Sequence, residues 1–492
     1  MPGWRRRKRQ TEARRIWLTG ASLAALVAAA GLFAGSEARA ESLRQALAAA
    51  YQYNPRLDAE RARLRATDED VTRAESGFRP TIEASADFGH QQTSVRPSVS
   101  ELFGASDPLG YSVTARQSLF RGFRTTNEVS EAEATVKAGR ENLRQVETEV
   151  LSEAVEAYCN MVRDLAIARM RDNNVEVLSK DLEGAEARRA VKEVTKTDVA
   201  QAQARRARAL SAAELARSNV KVSRANFERV IGHAPSTVGQ PSLKNAQLPR
   251  TLEEALKAAE RQNPSLNAAQ FQEQAARFAV DKIRGELLPE VNIEANYGHR
   301  DDPNPAYTEQ DSASITGRVS LSLYDGGEIR ARVRQAKHTH VSRLQQIEQA
   351  RSESQAAVIE AWSQMMASRA QLKSNSILVD ANRLALEGVR EEQKVGQRTL
   401  LDVLDAEQEY LDAQIQLITA RRDLIVASYR VLATMGELNP EALALATDVY
   451  NPEAHFEEAR QNWFGIDIVT PDGRREVIEA NDPDDDPGGS AE

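Results

Sequence analysis

Residues 43–55 read LRQALAAAYQYNP, and residues 252–264 read LEEALKAAERQNP. The two stretches lie 209 positions apart, and the same spacing relates Pro80 to Pro289. Beyond residue 110 the spacing between equivalent residues falls to 204. At this spacing Leu119-Phe120 corresponds to Leu323-Tyr324, Thr195 to Thr399, Asp198-Val199 to Asp402-Val403, and Gly232 to Gly436. Solenoid repeats have periods of only ~20–50 residues. We therefore predict a duplicated protein, with the same elements in the same order in each half.

The first 40 residues have the three regions of an export signal. Residues 5–9 are all basic, residues 16–33 are mainly apolar, and Ala38-Arg39-Ala40 is a small-x-small cleavage site before Glu41. Removing the segment takes away eight Lys/Arg and two Asp/Glu, which changes the formal net charge from −9 to −15. Such a negative exported chain is not expected to bind nucleic acid.

Enzyme signatures are absent from the sequence. It contains no zinc-type Cys/His spacing, no Gly-rich phosphate loop and no nucleophile elbow. The single cysteine, Cys159, lies among apolar residues and is predicted to be inert packing. His338 and His340 are two apart, so on a helix they point in different directions. We predict no catalytic residues, no cofactor and no metal site.

Long polar, Ala-rich stretches predict helices. Between Thr125 and Ala190 there is no proline, and apolar or small residues recur every three or four positions. A continuous helix of ~65 residues would be ~100 Å long and would need partners along its whole apolar stripe. The predicted long helices cover residues 123–190, 195–231, 327–394 and 399–436, packed as an antiparallel coiled bundle.

After Pro80 and Pro289 the period changes from 3.6 to 2. Strands are predicted at about 80–90, 111–120, 289–299 and 313–324, each near the length of a tilted strand that crosses a bilayer. Charge is confined to one face, at Glu83, Asp87, Arg116, Glu294 and Arg318, and aromatic residues near the strand ends are Phe88, Tyr111, Tyr297 and Tyr324. This pattern favours a membrane β-barrel over a water-exposed sheet.

Four strands cannot close a barrel, and lipid does not tolerate an open edge. A shared barrel would have eight strands in a dimer or twelve in a trimer, and twelve leave room for a pore. The predicted organisation is a first repeat at 41–231, a linker at 232–250, a second repeat at 251–436 and a further segment at 437–465. Residues 466–492 are predicted to be a disordered acidic tail, with cation binding by Asp482 to Asp486 as the alternative.

Duplicated halves of short helix, hairpin, long helix and second helix resemble the TolC family of outer-membrane channel-tunnels. The likeness covers residues 41–440. Its most specific element is VGQRTLLDVLDA at 395–406, which follows the family's V-G-x-R-T-x-x-D-V-L-D-A signature, and residues 450–456 resemble the branch that serves type I secretion. The resemblance implies a mainly α protein that forms a homotrimer, with a shared twelve-strand barrel in the outer membrane and a twelve-helix periplasmic tunnel.

At that signature the resemblance implies a pore constriction and a gate. Asp402 and Asp405 lie three apart on one helix face, and in a trimer they would form an acidic ring that attracts cations. Arg398 corresponds to the family's gate-holding arginine, with Thr197 and Asp198 of the other repeat as its partners. Spacing alone is also compatible with an aspartate pair on a solvated face.

The resemblance also places contacts with a periplasmic adaptor at the helical turns, at Val395, Gly396, Gln397 and Val191. Two positions depart from the family pattern, because Gln393 replaces a tyrosine and Lys192 replaces a glycine. Adaptor contact is therefore expected to differ between the repeats.

The sequence thus predicts a passive export duct of the outer membrane, surrounded by outer-membrane lipid. It would work with an adaptor (membrane fusion) protein and an inner-membrane ABC or RND transporter, in type I protein secretion and/or drug efflux. The alternative is a non-channel periplasmic coiled-coil structural or adaptor protein. Such a protein would not need bilayer-length hairpins with charge on one face. The sequence leaves the cargo open.

Overall fold

The computed structural model describes residues 40–95, 102–241, 248–304 and 307–463, together with residues 465–466, 468–469 and 475–476. The predicted export signal lies outside the described residues except for Ala40, and so does the acidic cluster of the tail. Within the tail, Ile468–Val469 (β7) pairs with Arg475–Glu476 (β8) in an antiparallel ladder.

Both halves contain two short helices, a hairpin sheet and two long helices. The first half consists of α1 Leu43–Tyr53, α2 Pro55–Glu75, β1 Thr81–Phe88, β2 Gln91–Val95, β3 Leu102–Ser106, β4 Leu109–Arg121, α3 Arg124–Ala190 and α4 Lys196–Ile231. The second consists of α5 Leu252–Gln262, α6 Pro264–Arg284, β5 Glu290–Asn304, β6 Tyr307–Ser320, α7 Glu328–Lys394 and α8 Leu400–Met435, and α9 Pro452–Gln461 follows. The prediction of a mainly α, duplicated chain is confirmed.

The repeated Asn-Pro pair joins helices end to end. Pro55 is the first residue of α2, where its missing N–H costs nothing, and Asn54 caps the helix. The Asn54 amide also donates a hydrogen bond of 3.1 Å to the Val230 carbonyl in the last turn of α4. Asn263 repeats the contact with Thr434 O at 3.1 Å. The dipeptide thus stacks α2 on α4, and α6 on α8.

The 67-residue helix α3 is ~100 Å long at 1.5 Å per residue. Its N-terminal half packs on α2, where Val71 contacts Val136. Its C-terminal half packs on α4, where Phe227 lies 6.3 Å from Tyr158 between ring centroids. Two stacked helices therefore cover the stripe that one long helix presents.

The largest core lies where α1, α3, α4 and α8 meet. The buried Tyr158 donates its hydroxyl toward two backbone carbonyls, Glu41 O at 2.7 Å and Gly239 O at 2.8 Å, so it fastens the start of the chain and the linker to α3. Cys159 is buried beside it, and burial raises the pKa of its thiol to about 12. The thiol is therefore unreactive, because the thiolate is the nucleophile.

Gly436 follows the last residue of α8 at a position where only glycine fits. Its φ is +78°, and a Cβ would lie 2.7 Å from the Gln262 carbonyl carbon. The end of α8 can therefore pass close to the junction between α5 and α6.

The C-terminal segment is held on α2. The fully buried Asp68 faces His455 of α9, with 3.0 Å between Oδ2 and Nδ1, and Thr72 donates to Ala459 O at 2.9 Å. Arg79 stacks over the Trp463 ring at 4.2 Å. Residues 452–463 therefore wrap the outside of the first repeat.

The four long strands form one antiparallel sheet in the order β1-β4-β5-β6. β5 and β6 extend further toward their connection than predicted, and β6 ends at Ser320, so Tyr324 lies beyond the strand. Between the predicted strands at 80–90 and 111–120, β2 and β3 pair in a short antiparallel ribbon that periodicity did not reveal.

The two faces of the sheet differ, as period-2 alternation requires. One face carries the ion pairs Arg116–Glu294 at 3.1 Å and Arg300–Asp87 at 2.9 Å. The other face is apolar and mostly exposed, and it includes Ile82, Ala84, Val113, Ala115, Ile293, Ala295, Tyr297, Ile315 and Val319. No helix among the described residues has the length and apolarity needed to cross a membrane.

Candidate gate and constriction

Two equivalent turns join the long helices at the end away from the sheet. After α3, Lys192 adopts φ +65°, and after α7 the equivalent Gly396 adopts φ +79°. Each turn has the bonding of a Schellman cap, with Glu193 N donating to Arg188 O at 2.9 Å and Gln397 N to Glu392 O at 2.9 Å. Lysine is strained in this left-handed conformation and glycine is not, so the repeats differ here in energy while matching in shape.

The helices that follow begin with identical capping boxes. Asp402 Oδ2 accepts hydrogen bonds from Thr399 N at 2.9 Å and Thr399 Oγ1 at 2.8 Å, and Asp198 bonds Thr195 in the same way. The hydrogen bonds from Thr399 lower the pKa of Asp402, and those from Thr195 lower the pKa of Asp198. Both carboxylates therefore stay ionised, and both support the helix start as well as any role in a pore.

Asp405, the second predicted constriction residue, is ion-paired across the repeats. Its carboxylate contacts the guanidinium of Arg205 on α4, and the two side chains are 53% and 27% exposed. Sequence reasoning missed Arg205. The available signal was its position seven residues after Asp198, which places both on one face of α4. The charge of Asp405 is thus partly offset within its own chain.

Arg398 has a different partner within the chain from those predicted. Its Nε donates to Glu392 Oε2 at 2.7 Å, across the turn that the two residues flank. Thr197 is exposed, and Asp198 is engaged by Thr195. Within one chain, Arg398 is not brought to Thr197 and Asp198. The latch stays a prediction, and it requires a contact between neighbouring chains.

The predicted docking residues lie on the surface of the two turns. Val191 is 66% exposed and Val395 is 70% exposed, and Gly396 and Gln397 are exposed beside them. Valines at the tip of a helical hairpin offer a small apolar contact that water solvates poorly. The geometry suits a partner that reaches both turns.

A polar cluster around the buried Glu407, also missed by sequence reasoning, lies behind the predicted constriction. Arg390 Nη2 of α7 donates to Glu407 Oε1 of α8 at 2.5 Å, and Asp181 of α3 lies against the same carboxyl. Burial, together with the charge of Glu407, raises the pKa of Asp181 to about 6. Three helices therefore meet at a contact whose charge depends on pH. Glu407 follows Asp405 by two residues on α8, so this contact lies next to the predicted constriction residue.

Residues 22–233 and 255–437 match the family described as outer membrane efflux protein. The chain is 35% identical over 455 residues to the outer membrane efflux protein BepC of Brucella suis biovar 1, which covers 91% of this chain and 98% of that protein. It is 24% identical over 471 residues to the outer membrane protein TolC of Escherichia coli K12, covering 90% and 93%. The fold is similar to that of the outer-membrane channel OprN, with a TM-score of 0.70, 22% identity, and coverage of 80% of this chain and 90% of that one.

Proposed function

The chain belongs to the outer membrane efflux protein family, and from this premise we propose that it forms the outer-membrane duct of a tripartite export system. Its place is the outer membrane, and its family consists of channels rather than enzymes. The duct is passive, because the energy for transport comes from a partner in the inner membrane. That partner is an ABC or RND transporter, linked to the duct by a periplasmic adaptor.

The four-stranded sheet is the observation that carries this proposal. Strands β1 and β6 form its two edges, and each has one side without a partner strand among the described residues of the single chain. The sheet also exposes an apolar face, where Ile82 is 74% and Ile315 is 82% exposed. Lipid would cover that face, but lipid cannot satisfy strand edges. Pairing β1 of one chain with β6 of the next closes a twelve-strand barrel in a homotrimer.

The long helices continue the barrel as a tunnel. Each chain contributes α3 and α7 together with the stacked shorter helices, so a trimer forms a periplasmic tube ~100 Å long. The tube narrows at the turns, where Asp402 and Asp405 form the constriction. Arg398 of one chain and Thr197 with Asp198 of its neighbour form the latch. The adaptor docks on Val191, Val395, Gly396 and Gln397.

The cargo is a secreted protein, a small toxic molecule or both. Similarity to a protein named for efflux supports the second class, and the segment at 450–456 supports the first. The alternative of a coiled-coil adaptor without a channel is not favoured, because an adaptor has no use for an amphipathic sheet of bilayer length.

The test is electrical. The mature protein, purified in mild detergent, should sediment as a trimer and conduct with cation preference in planar bilayers. Replacing Asp402 and Asp405 with Ala should reduce that preference. Glu176→Ala is the matched control, since this exposed acid on α3 pairs with Lys180 in its own helix at 2.7 Å. A monomer that keeps its β signal, or unchanged selectivity in the double variant, would contradict the proposal.

A further inference from the structure

The tip of the second hairpin gathers metal-ligating side chains. His299 on β5 and Asp311 on β6 are register partners, with 2.8 Å between Nδ1 and Oδ1. Glu309 Oε1 lies 3.8 Å from the same nitrogen. One donor atom from each of the three residues lies within 4.8 Å of the other two. A single ion can therefore reach all three.

The second nitrogen of the same imidazole also has a carboxylate beside it. Asp301 Oδ1 lies 3.5 Å from His299 Nε2. Histidines that bind metals commonly direct the other ring N–H at a carboxylate, which sets the tautomer and makes the ligating nitrogen more basic. His299 is also the most protected member of the cluster, with its side chain 18% exposed. We propose that His299, Glu309 and Asp311 bind a divalent transition-metal ion of the zinc class, with Asp301 orienting the histidine.

The donor set selects the class of ion. Calcium and magnesium prefer sites made only of oxygen ligands. One imidazole nitrogen with two carboxylates suits zinc and its neighbours in the first transition row, with water in the remaining position. Sequence spacing did not reveal this site, because its ligands come from both strands of a hairpin.

The site lies on the apolar face of the sheet, level with Tyr111, which is the register partner of His299 on β4. Alternation places His299 on the same face as Tyr297, and the Tyr111 ring is 5.1 Å from the imidazole between centroids. Given the proposed barrel, the ion would lie on the outer wall at the level of the aromatic residues, at the end opposite the helices. It would join β5 to β6 at their tips without entering the pore.

The first repeat contains a matched control. His90 and Asp107 are the equivalents of His299 and Asp311, and they form the same contact at 2.7 Å. The equivalents of Glu309 and Asp301 are Ala105 and Gln92, which cannot supply the other carboxylates. The His90 side chain is also 69% exposed. The first hairpin therefore has the contact between histidine and aspartate but lacks the other carboxylates of the proposed metal site.

The test begins with full-length protein in detergent from which bound metal has been removed. This protein is titrated with zinc at neutral pH, and binding is measured by calorimetry. One zinc per chain is expected, with excess Mg²⁺ unable to displace it. Asp311→Asn and His299→Ala should abolish binding, and His90→Ala should leave it unchanged. Asp301→Asn should keep the stoichiometry and weaken affinity by about tenfold to a hundredfold.

Cobalt provides a second readout, because visible absorption of bound Co²⁺ reports nitrogen and oxygen ligation directly. Each variant must elute from size-exclusion chromatography and sediment like the parent, which shows that it is folded. Asp311→Asn is chosen because asparagine has nearly the same shape as aspartate. The proposal is overturned if the parent binds no zinc, or if His90→Ala loses as much binding as His299→Ala. Binding should also weaken on acidification, since protons compete for the histidine.

Discussion

Removing the guanidinium of Arg205 should make the constriction more cation-selective. In each chain this arginine contacts Asp405. Asp402 accepts its hydrogen bonds from the uncharged backbone and hydroxyl groups of Thr399 and feels the charge of Arg398 without a direct contact. In a trimer, Arg205 therefore offsets three of the six carboxylates of the ring. Arg205→Ala leaves all six without that compensation.

The magnitude follows from Coulomb's law. For a ring radius of about 8 Å in water, each uncovered carboxylate attracts a monovalent cation on the axis by about 0.5 kcal/mol. Salt at 0.1 M, with a Debye length of about 10 Å, reduces this by about half. Three such charges give about 0.7 kcal/mol, or about threefold cation enrichment. Loss of the partly exposed pair itself should cost only about 0.2–1 kcal/mol of stability.

The assay is the reversal potential of single channels in a KCl gradient. Because the same potential depletes anions by the factor that it enriches cations, the ratio of cation to anion permeability should rise about tenfold in Arg205→Ala. It should return toward the parent value when Asp405→Asn is added. Arg217→Ala is the control on the same helix, because that arginine pairs with Asp172 and Glu214 away from the turn. An unchanged ratio in Arg205→Ala, or an equal rise in Arg217→Ala, would refute the reasoning.

Three further predictions concern the same end of the molecule. Burial raises the pKa of Asp181 to about 6, so the stabilisation that protonated Asp181 gives to helix packing should be fully present below the ordinary pKa of an aspartate and lost as the pH rises through 6. Single-channel conductance should therefore show a step near pH 6 that Asp181→Asn removes. A step that persists in Asp181→Asn would mean that another group titrates. Lys192→Gly should relieve left-handed strain and raise stability by up to about 1 kcal/mol in thermal unfolding, whereas Gly396→Lys should lower it; equal melting temperatures would mean that the turn carries no strain. Arg398→Ser should increase the open fraction in bilayers, Asp198→Ala should do likewise, and the double variant should be less than additive; additive effects would mean that the two residues do not hold each other.

Much of the architecture was predictable because it rests on local chemistry. The Asn-Pro pairs at 54–55 and 263–264 mark helix starts in any context, and their recurrence revealed the duplication. Period-2 alternation after Pro80 and Pro289 indicated strands, and the proline-free stretch from residue 125 indicated a helix of extreme length. Each of these signals is a pattern along the sequence itself, so no knowledge of distant contacts was needed.

The pairings at the candidate sites were decided by tertiary structure alone. Arg205 and Asp405 are 200 residues apart, and Asp181 meets Glu407 only because α3 and α8 pack together. The motif around Asp402 was recognisable, yet its role in a capping box depends on the position of the helix start. His299 meets Glu309 and Asp311 because the register of β5 on β6 brings them opposite one another. Periodicity specifies which face a side chain occupies, but only packing and register determine which charge it faces there.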